Sequence, residues 1–171
     1  MSKHKPLGAQ ARGARAALVA LAFAALVAFN DLDAQAASWK GIEPLKSRRA
    51  DVERVLGKAA RETADGALHF NVAGGRVTVF FLSAKTVAVK KMPPELEGTV
   101  IQIVLQHDGA ADTPESLGLD KNKRFEREQK GDVLFYNNAR DGIAYIFISG
   151  KLRTTRYSAP AEEFAKTLKR R

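Results

Sequence analysis

Short runs of alternating apolar and polar residues dominate the chain after residue 65. The runs "ALHFNV" and "RVTVFFLS" flank "AGG", a pattern that predicts two strands joined in a hairpin around Gly74 and Gly75. The run "TVIQIVLQH" predicts a further strand. Its apolar face carries Ile101, Ile103 and Leu105, and its polar face carries Gln102 and Gln106. "TVAVK" predicts a short third strand between these elements, and "KKMPPELEG" predicts a loop because proline cannot donate to a strand ladder.

Three more strands are predicted near the C-terminus, in "VLFYN", "IAYIFIS" and "LRTTRYS". The segment from Ile143 to Ile148 is apolar at consecutive positions, which predicts a central strand covered on both sides. Residues 108 to 131 are polar, and we expect a long loop there with a short strand near Phe125.

Two short helices flank the predicted strands. Residues 48 to 56 read as a helix with Ser47 as its N-cap and Gly57 as its stop. Its apolar face, expected to pack on the sheet, holds Val52, Val55 and Leu56. The tail "APAEEFAKTLKRR" has Pro160 and two acids early and three basic residues late, as helices favour. The expected fold class is therefore α+β: a short N-terminal helix packed on a mainly antiparallel sheet of hairpins, with a small C-terminal helix.

Two stretches of the chain resemble each other. Both run from Asp-Gly through a strand, a glycine turn and a second strand to serine, starting at Asp65 and at Asp141. The likeness is explained either by duplication or by what any hairpin requires, and the second explanation is the simpler one.

The N-terminus has the pattern of a secretory signal peptide. A basic segment with four Lys or Arg residues precedes an apolar run of 14 residues, at 16 to 29, and Ala34 and Ala36 form a small-x-small cleavage pattern. Such a run spans about 21 Å as a helix, which is short of the roughly 30 Å bilayer core. We expect residues 1–36 to be a signal peptide cleaved after Ala36 and residues 37–171 to be a single domain, exported to the periplasm or outside the cell. An uncleaved N-terminal anchor is the alternative.

Charge and cysteine content narrow the set of partners. Removal of residues 1–36 takes four of the 28 basic and two of the 19 acidic residues, which changes the formal net charge from +9 to +7. A basic protein is attracted to anionic surfaces, but export keeps it from chromosomal DNA and ribosomal RNA. The chain contains no cysteine, so disulfides and lipid attachment through cysteine are excluded.

No catalytic constellation is recognisable. The chain has no cysteine nucleophile and no G-x-S-x-G motif, and the expected mature domain has only His69 and His107 as histidine bases. His107 stands near Asp108 and Asp112, but the spacing fits no zinc or calcium loop. We therefore expect no enzyme activity, no metal and no cofactor.

Two sets of basic residues are candidate anion sites. A set of basic residues with aromatic residues nearby could bind single-stranded nucleic acid: Lys121, Lys123, Arg124, Arg127, Arg153, Arg156, Phe125, Tyr136 and Tyr145. We disfavour this function because Tyr145 lies in the apolar run and is expected in the core. The second set combines two arginines in the first turn of the predicted helix with the basic C-terminus: Arg48, Arg49, Lys169, Arg170 and Arg171. The positive end of the helix dipole already lies at that first turn. Arg49 is four residues before Glu53, so an intrahelical ion pair competes with an external anion.

The opening of the expected domain, "WKGIEPLKSRRADVERVLG", resembles that of a group of small, exported, uncharacterised bacterial proteins. The shared pattern is W-x-G-I-x-P-L-x-S-x-x-x-D-V-x-x-x-L-G, and "GTVIQI" and "DGIAYIFISGKL" also look like that group. The group carries no known activity and no known functional residues. A weaker similarity, through Val52 to Gly57, is to SmpA/BamE-like envelope proteins and the beta-lactamase-inhibitor-like fold, which place such a helix before an antiparallel sheet.

Together these observations favour an exported, non-catalytic domain that binds a protein or a cell-envelope component. The alternative is a basic domain that binds an anionic envelope polymer or lipid headgroup through the arginines and lysine of the second set.

Overall fold

The structure, a computed structural model, describes residues 37–169. These residues form an α+β fold with three α-helices and one eight-stranded antiparallel sheet. The helices are α1 (Arg49–Leu56), α2 (Ala84–Lys90) and α3 (Ala161–Lys169). The strands are β1 (Arg61–Glu62), β2 (Leu68–Val72), β3 (Gly75–Phe81), β4 (Val100–His107), β5 (Glu126–Lys130), β6 (Val133–Asn138), β7 (Ile143–Ile148) and β8 (Lys151–Ser158).

The sheet consists of two four-stranded meanders joined at its centre. The strand order is β1-β2-β3-β4-β8-β7-β6-β5, so β4 pairs with β8 where the meanders meet. The two similar stretches of sequence form the hairpins β2–β3 and β7–β8, which do not hold equivalent places in the two meanders. Their likeness therefore follows the needs of a hairpin and not a repeated unit of this sheet.

One face of the sheet, here the covered face, holds the core near β2, β3 and β4. The register places Leu68, Val79 and Ile103 side by side, and all three are fully buried. Val52 of α1 and Ile42 complete this cluster, each with no exposed surface. The prediction that α1 packs on the sheet through Val52 is confirmed.

A second cluster lies on the same face near β6, β7 and β8. Tyr136 and Phe147 are buried there, with ring centroids 5.9 Å apart in an edge-to-face arrangement. Leu119, in a short 3₁₀ turn within residues 108–125, packs on them, and the Tyr136 hydroxyl donates to the carboxylate of Asp120. The polar segment predicted as a loop thus covers this part of the sheet.

Helix α1 starts one residue later than predicted. Arg48 is its N-cap, and the Arg48 backbone N–H donates to Asp51 Oδ2 at 2.9 Å. The hydroxyl of Ser47, predicted as the cap, instead accepts from the Glu43 backbone N–H. Gly57 ends the helix at a φ of 79°, as predicted, because a positive φ costs glycine little.

The predicted apolar face of α1 was wrong at one position. Val55 is 44% exposed, whereas Val52 is fully buried. Each residue turns the helix by about 100°, so Val55 lies roughly 60° away from Val52 on the solvent side. With only eight residues, the helix presents a narrow contact stripe.

The predicted strand "TVAVK" is wrong, since this segment is helix α2. The Ser83 side chain accepts from the Thr86 backbone N–H at 3.1 Å, which caps the helix. Lys91 closes it in the left-handed conformation, and Val87 is buried in a third cluster with Leu82 and Met92. Capping and burial override the β-propensity of threonine and valine.

The remaining predicted elements are present. The loop around Pro93 contains a 3₁₀ turn at Pro94–Leu96, and the short strand expected near Phe125 is β5. All five residues of β5, "EREQK", are exposed at the sheet edge, where their charges discourage pairing with another chain. The C-terminal helix is α3, whose Phe164 packs against the third cluster.

The predicted signal peptide falls at residues 1–36, outside the described residues, and so do Arg170 and Arg171. Among the helices within residues 37–169, none combines the length and apolar character that crossing a membrane requires.

Candidate functional site

Arg48, the N-cap of α1, links the helix to the turn that follows α2. The Arg48 guanidinium donates to the backbone carbonyls of Glu95 at 2.6 Å and Glu97 at 2.8 Å. Glu95 belongs to the 3₁₀ turn that follows α2, and Glu97 is the C-cap of that turn. The side chain that was a candidate for anion binding thus bonds to neutral acceptors of its own domain.

Arg49, the first residue of α1, bridges this helix to β1. Arg49 Nε donates to Glu53 at 2.9 Å, and the other two guanidinium nitrogens donate to the two carboxylate oxygens of Glu62, at 2.9 and 2.7 Å. The bond from Arg49 lowers the pKa of Glu62, and those from Glu62 and Glu53 raise the pKa of Arg49. The predicted Arg49–Glu53 pair is present, and a bidentate partner that sequence spacing did not indicate is added.

The other predicted cations are distributed over the domain. Lys169 is the last residue of α3. In the nucleic-acid candidate set, Lys121, Lys123 and Arg124 belong to the segment that covers the second cluster, and Phe125, Tyr136 and Tyr145 pack within that cluster. The aromatic rings therefore serve the core of the covered face and do not form a stacking platform.

The two histidines within residues 37–169 are hydrogen-bonded to threonines on adjacent strands. His69 Nδ1 lies 3.0 Å from Thr78 Oγ1, and His107 Nε2 lies 2.9 Å from Thr155 Oγ1. Burial lowers the pKa of His107 below its ordinary value of 6.5, against an opposing effect of Asp112. Within residues 37–169, no cluster of three His, Cys, Asp or Glu side chains is arranged to hold a metal ion.

The opposite face of the sheet, here the open face, is not covered by α1 or by the segment that contains Leu119. Two rows of cross-strand neighbours run across it. From β2 to β5, the first row is His69, Thr78, Val104, Arg156, Ala144, Asn137 and Glu126. The second row is Asn71, Arg76, Gln106, Thr154, Ile146, Phe135 and Glu128. No residue of either row is buried, whereas the neighbouring covered-face row contains three fully buried side chains.

An apolar track lies on the open face over β7 and β6. It passes from Ala144 to the cross-strand pair Phe135 and Ile146. It ends at the pair Val133 and Ile148, of which Ile148 is 39% exposed. An antiparallel sheet with one solvated face normally alternates apolar inside with polar outside. The apolar track departs from this alternation, which makes it a candidate interaction surface.

A cleft lies at one end of the central strands β3, β4 and β8, beside α3. Its volume is about 450 Å³. The lining is mostly apolar, with two polar side chains from the sheet: Phe80, Ile101, Gln102, Ser158, Ala159, Ala161 and Phe164. Ser158 follows Arg156 by two residues on β8, so the cleft adjoins the rows of the open face.

The open face is positively charged over β2, β3, β4 and β8. Its two rows carry Arg76 and Arg156 on these strands and no acid. Both arginines are exposed, and neither belongs to any ion pair of the described chain. The acids of the open face, Glu126 and Glu128, lie on β5 at the far edge, where Lys130 pairs with Glu128 at 2.8 Å.

The sequence alone did not predict this surface, although the apolar run from Ile143 to Ile148 indicates it. The apolar run from Ile143 to Ile148 was predicted to be covered on both sides. Strand β7 does lie inside the sheet, between β8 and β6. The prediction of two covers is wrong for the described residues, because Phe147 is buried on one face while Ile146 and Ile148 retain exposure on the other.

Comparison of this chain with protein-family models, curated proteins and solved structures found no match.

Proposed function

We propose that this protein is an exported, non-catalytic domain that binds another protein of the cell envelope through the open face of its sheet. The observation that carries the proposal is the apolar track, because its side chains are not needed for the core of residues 37–169. Export is supported by the signal-peptide pattern of residues 1–36. The resemblance to small exported proteins agrees with this location.

A protein partner fits the surface better than a bilayer does. A membrane-inserting surface presents protruding apolar side chains on one element. The exposed large apolar residues of the described chain are instead scattered over α1, α2, the 108–125 segment, β7 and α3: Val55, Val89, Leu117, Ile148 and Leu168. Most of the track is only partly exposed, as in a flat surface that is completed by a docked element.

A pull-down from the native envelope tests the proposal. The bait is the full-length chain, compared with the double variant Ile146→Thr/Ile148→Thr, which removes apolar contact area from the track while keeping β-branched side chains. Leu117→Thr is the matched control, since Leu117 is 38% exposed and lies in the segment on the opposite side of the sheet. We expect the double variant to lose its retained protein and the control to keep it. Equal retention by all three baits contradicts the proposal.

The second candidate is an anionic envelope polymer or lipid headgroup, favoured by the formal charge of +7 expected for residues 37–171. It would use Arg48, Arg49, Lys169, Arg170 and Arg171. The contacts of the first two arginines with their own domain weigh against it, because an external anion must displace two guanidinium bonds at Arg48 and three at Arg49. Binding to anionic vesicles that persists unchanged in about 0.5 M salt contradicts an electrostatic site.

A further inference from the structure

We propose that the cleft beside α3 binds a small, uncharged molecule that has an apolar body of about two rings and one hydrogen-bonding group. The cleft lies at the end of β3, β4 and β8, whereas the apolar track lies over β7 and β6. The inference therefore concerns a second site and does not rest on the proposed function.

The regular pairing of β3 with β4 is interrupted at the cleft. Phe80 pairs with Gln102, but the next residue of β3, Phe81, pairs with Val100. Ile101 is therefore an extra residue of β4 in this register, as in a β-bulge. Such bulges re-aim side chains and are over-represented next to active sites. The bulge explains why Ile101 and Gln102 both line the cleft, although consecutive residues of a regular strand point to opposite faces.

The size and the walls of the cleft suit a ligand larger than one side chain. Phe80 on β3 and Phe164 on α3 supply two phenyl rings, and Phe164 also packs against the third cluster, so the core holds this wall in place. A cavity of about 150 Å³ holds one benzene molecule, whereas the cleft has a volume of about 450 Å³. A single phenyl group would leave most of that space unfilled and forfeit its dispersion contacts.

Two polar side chains of the lining are available to a ligand. Gln102 and Ser158 are cross-strand neighbours on β4 and β8. Ser158 Oγ lies 3.4 Å from the Gly142 carbonyl oxygen, which is long for a hydrogen bond. Among the side-chain hydrogen bonds of residues 37–169, none involves the Gln102 carboxamide. A carboxamide both donates and accepts, so a ligand hydroxyl or amide finds a partner there.

The lining of the cleft carries no charged side chain. An ionised ligand would exchange water for a surface that offers no counter-charge, which costs free energy. A neutral hydroxyl or amide loses less hydration and regains a hydrogen bond at Gln102. The cleft therefore selects an uncharged polar group on an apolar body.

Three naphthalene derivatives with the same two rings and different substituents test the assignment: 2-naphthol, 2-methylnaphthalene and 2-naphthoate. Only the naphthoate is charged at neutral pH. Binding of each compound to the full-length chain is measured by equilibrium dialysis. We expect 2-naphthol to bind about tenfold more tightly than 2-methylnaphthalene, which is the effect of about one hydrogen bond, and 2-naphthoate to bind most weakly.

Two pairs of variants locate the site. Ala161→Leu adds bulk at an exposed position of the lining and should weaken binding of every probe, whereas Ala88→Leu makes the same change at an exposed position of α2 outside the lining and should not. Gln102→Leu should remove the advantage of 2-naphthol and leave 2-methylnaphthalene bound. Gln106→Leu, on the same face of β4 but outside the lining, should preserve that advantage. Thermal unfolding checks that each variant is folded.

Each contrary result overturns a stated part of the inference. Equal binding of 2-naphthol and 2-methylnaphthalene would refute the hydrogen-bonding group, and tightest binding of 2-naphthoate would refute an uncharged ligand. Failure of all three probes to bind the unmodified chain, or binding that Ala161→Leu leaves unchanged, would refute the cleft as the site. The apolar track takes no part in these measurements, so the proposed function stands or falls separately.

Discussion

Val104 and Arg156 are cross-strand neighbours at the centre of the sheet, where the two meanders join. Both side chains lie on the open face, so an apolar residue and an exposed charge share the middle of that surface. Their immediate neighbours on the covered face, Ile103 and Tyr157, belong to the core cluster instead. The same two strands therefore build the core on one side and the proposed binding surface on the other.

The contrast between two valines of α1 gives the first prediction. Val52→Ala should lower the free energy of unfolding by about 2 kcal/mol, because a fully buried valine loses its contacts and leaves a cavity. Val55→Ala should change it by less than about 0.5 kcal/mol, since Val55 is 44% exposed. Chemical denaturation of the two variants measures the difference. Equal losses would show that α1 packs on the sheet by another face.

Gly142, between β6 and β7, should tolerate no side chain. Its φ is 72°, and a Cβ built there would overlap the backbone carbonyl of Ser158. Gly150 has a similar φ of 74° but open space around it, so it is a matched control. Gly150→Ala should cost about 1 to 2 kcal/mol from the left-handed conformation alone, and Gly142→Ala about 1 to 3 kcal/mol more from overlap. Equal destabilisation by the two variants would contradict the close approach of Gly142 to the Ser158 carbonyl on β8.

The partly buried His107 should make the domain less stable in mild acid. Burial lowers the pKa of His107 in the folded state below its ordinary value of 6.5, so the unfolded chain binds a proton more readily. The stability that His107 contributes is therefore complete above pH 6.5 and is lost as the pH falls through its folded-state pKa. His107→Gln should flatten the dependence of unfolding free energy on pH in this range. Parallel curves for the two proteins would show that His107 does not titrate in this way.

The bridge from Arg49 to Glu62 should contribute little and should depend on salt. Both side chains are about half exposed, and surface ion pairs are weak because water and salt screen them. Arg49→Gln and Glu62→Gln should each destabilise slightly at low salt, and their double variant should show coupling that fades at high salt. Coupling that is absent at low salt would indicate that the bidentate pair is not formed in solution.

Several elements were predictable because local chemistry and burial agreed. The hairpin at Gly74, the strand ending at His107, the helix stop at Gly57 and the C-terminal helix were all readable from alternation, turn residues and charge placement. Helix α2 was not predicted because its β-branched residues favour a strand. The Ser83 side chain that caps the helix contributes nothing to the apolar periodicity from which the elements were predicted.

The candidate site was harder to predict than the fold. Ile146 and Ile148 retain exposure because α1 and the 108–125 segment both pack on the opposite face of the sheet. The face on which a distant segment packs is not encoded in the local pattern of β7. Likewise, Arg48 and Arg49 find their partners far along the chain, at Glu97 and Glu62, beyond the reach of helical spacing rules.

The most direct test of the open face as the binding surface is site-specific photo-cross-linking in the native envelope. A photoreactive amino acid replaces Ile148 on the open face in one variant and Leu117 on the opposite side in another, positions that are 39% and 38% exposed. The account predicts a discrete cross-linked protein from position 148 and none from position 117. Equal cross-linking from both positions, or from position 117 alone, would contradict it.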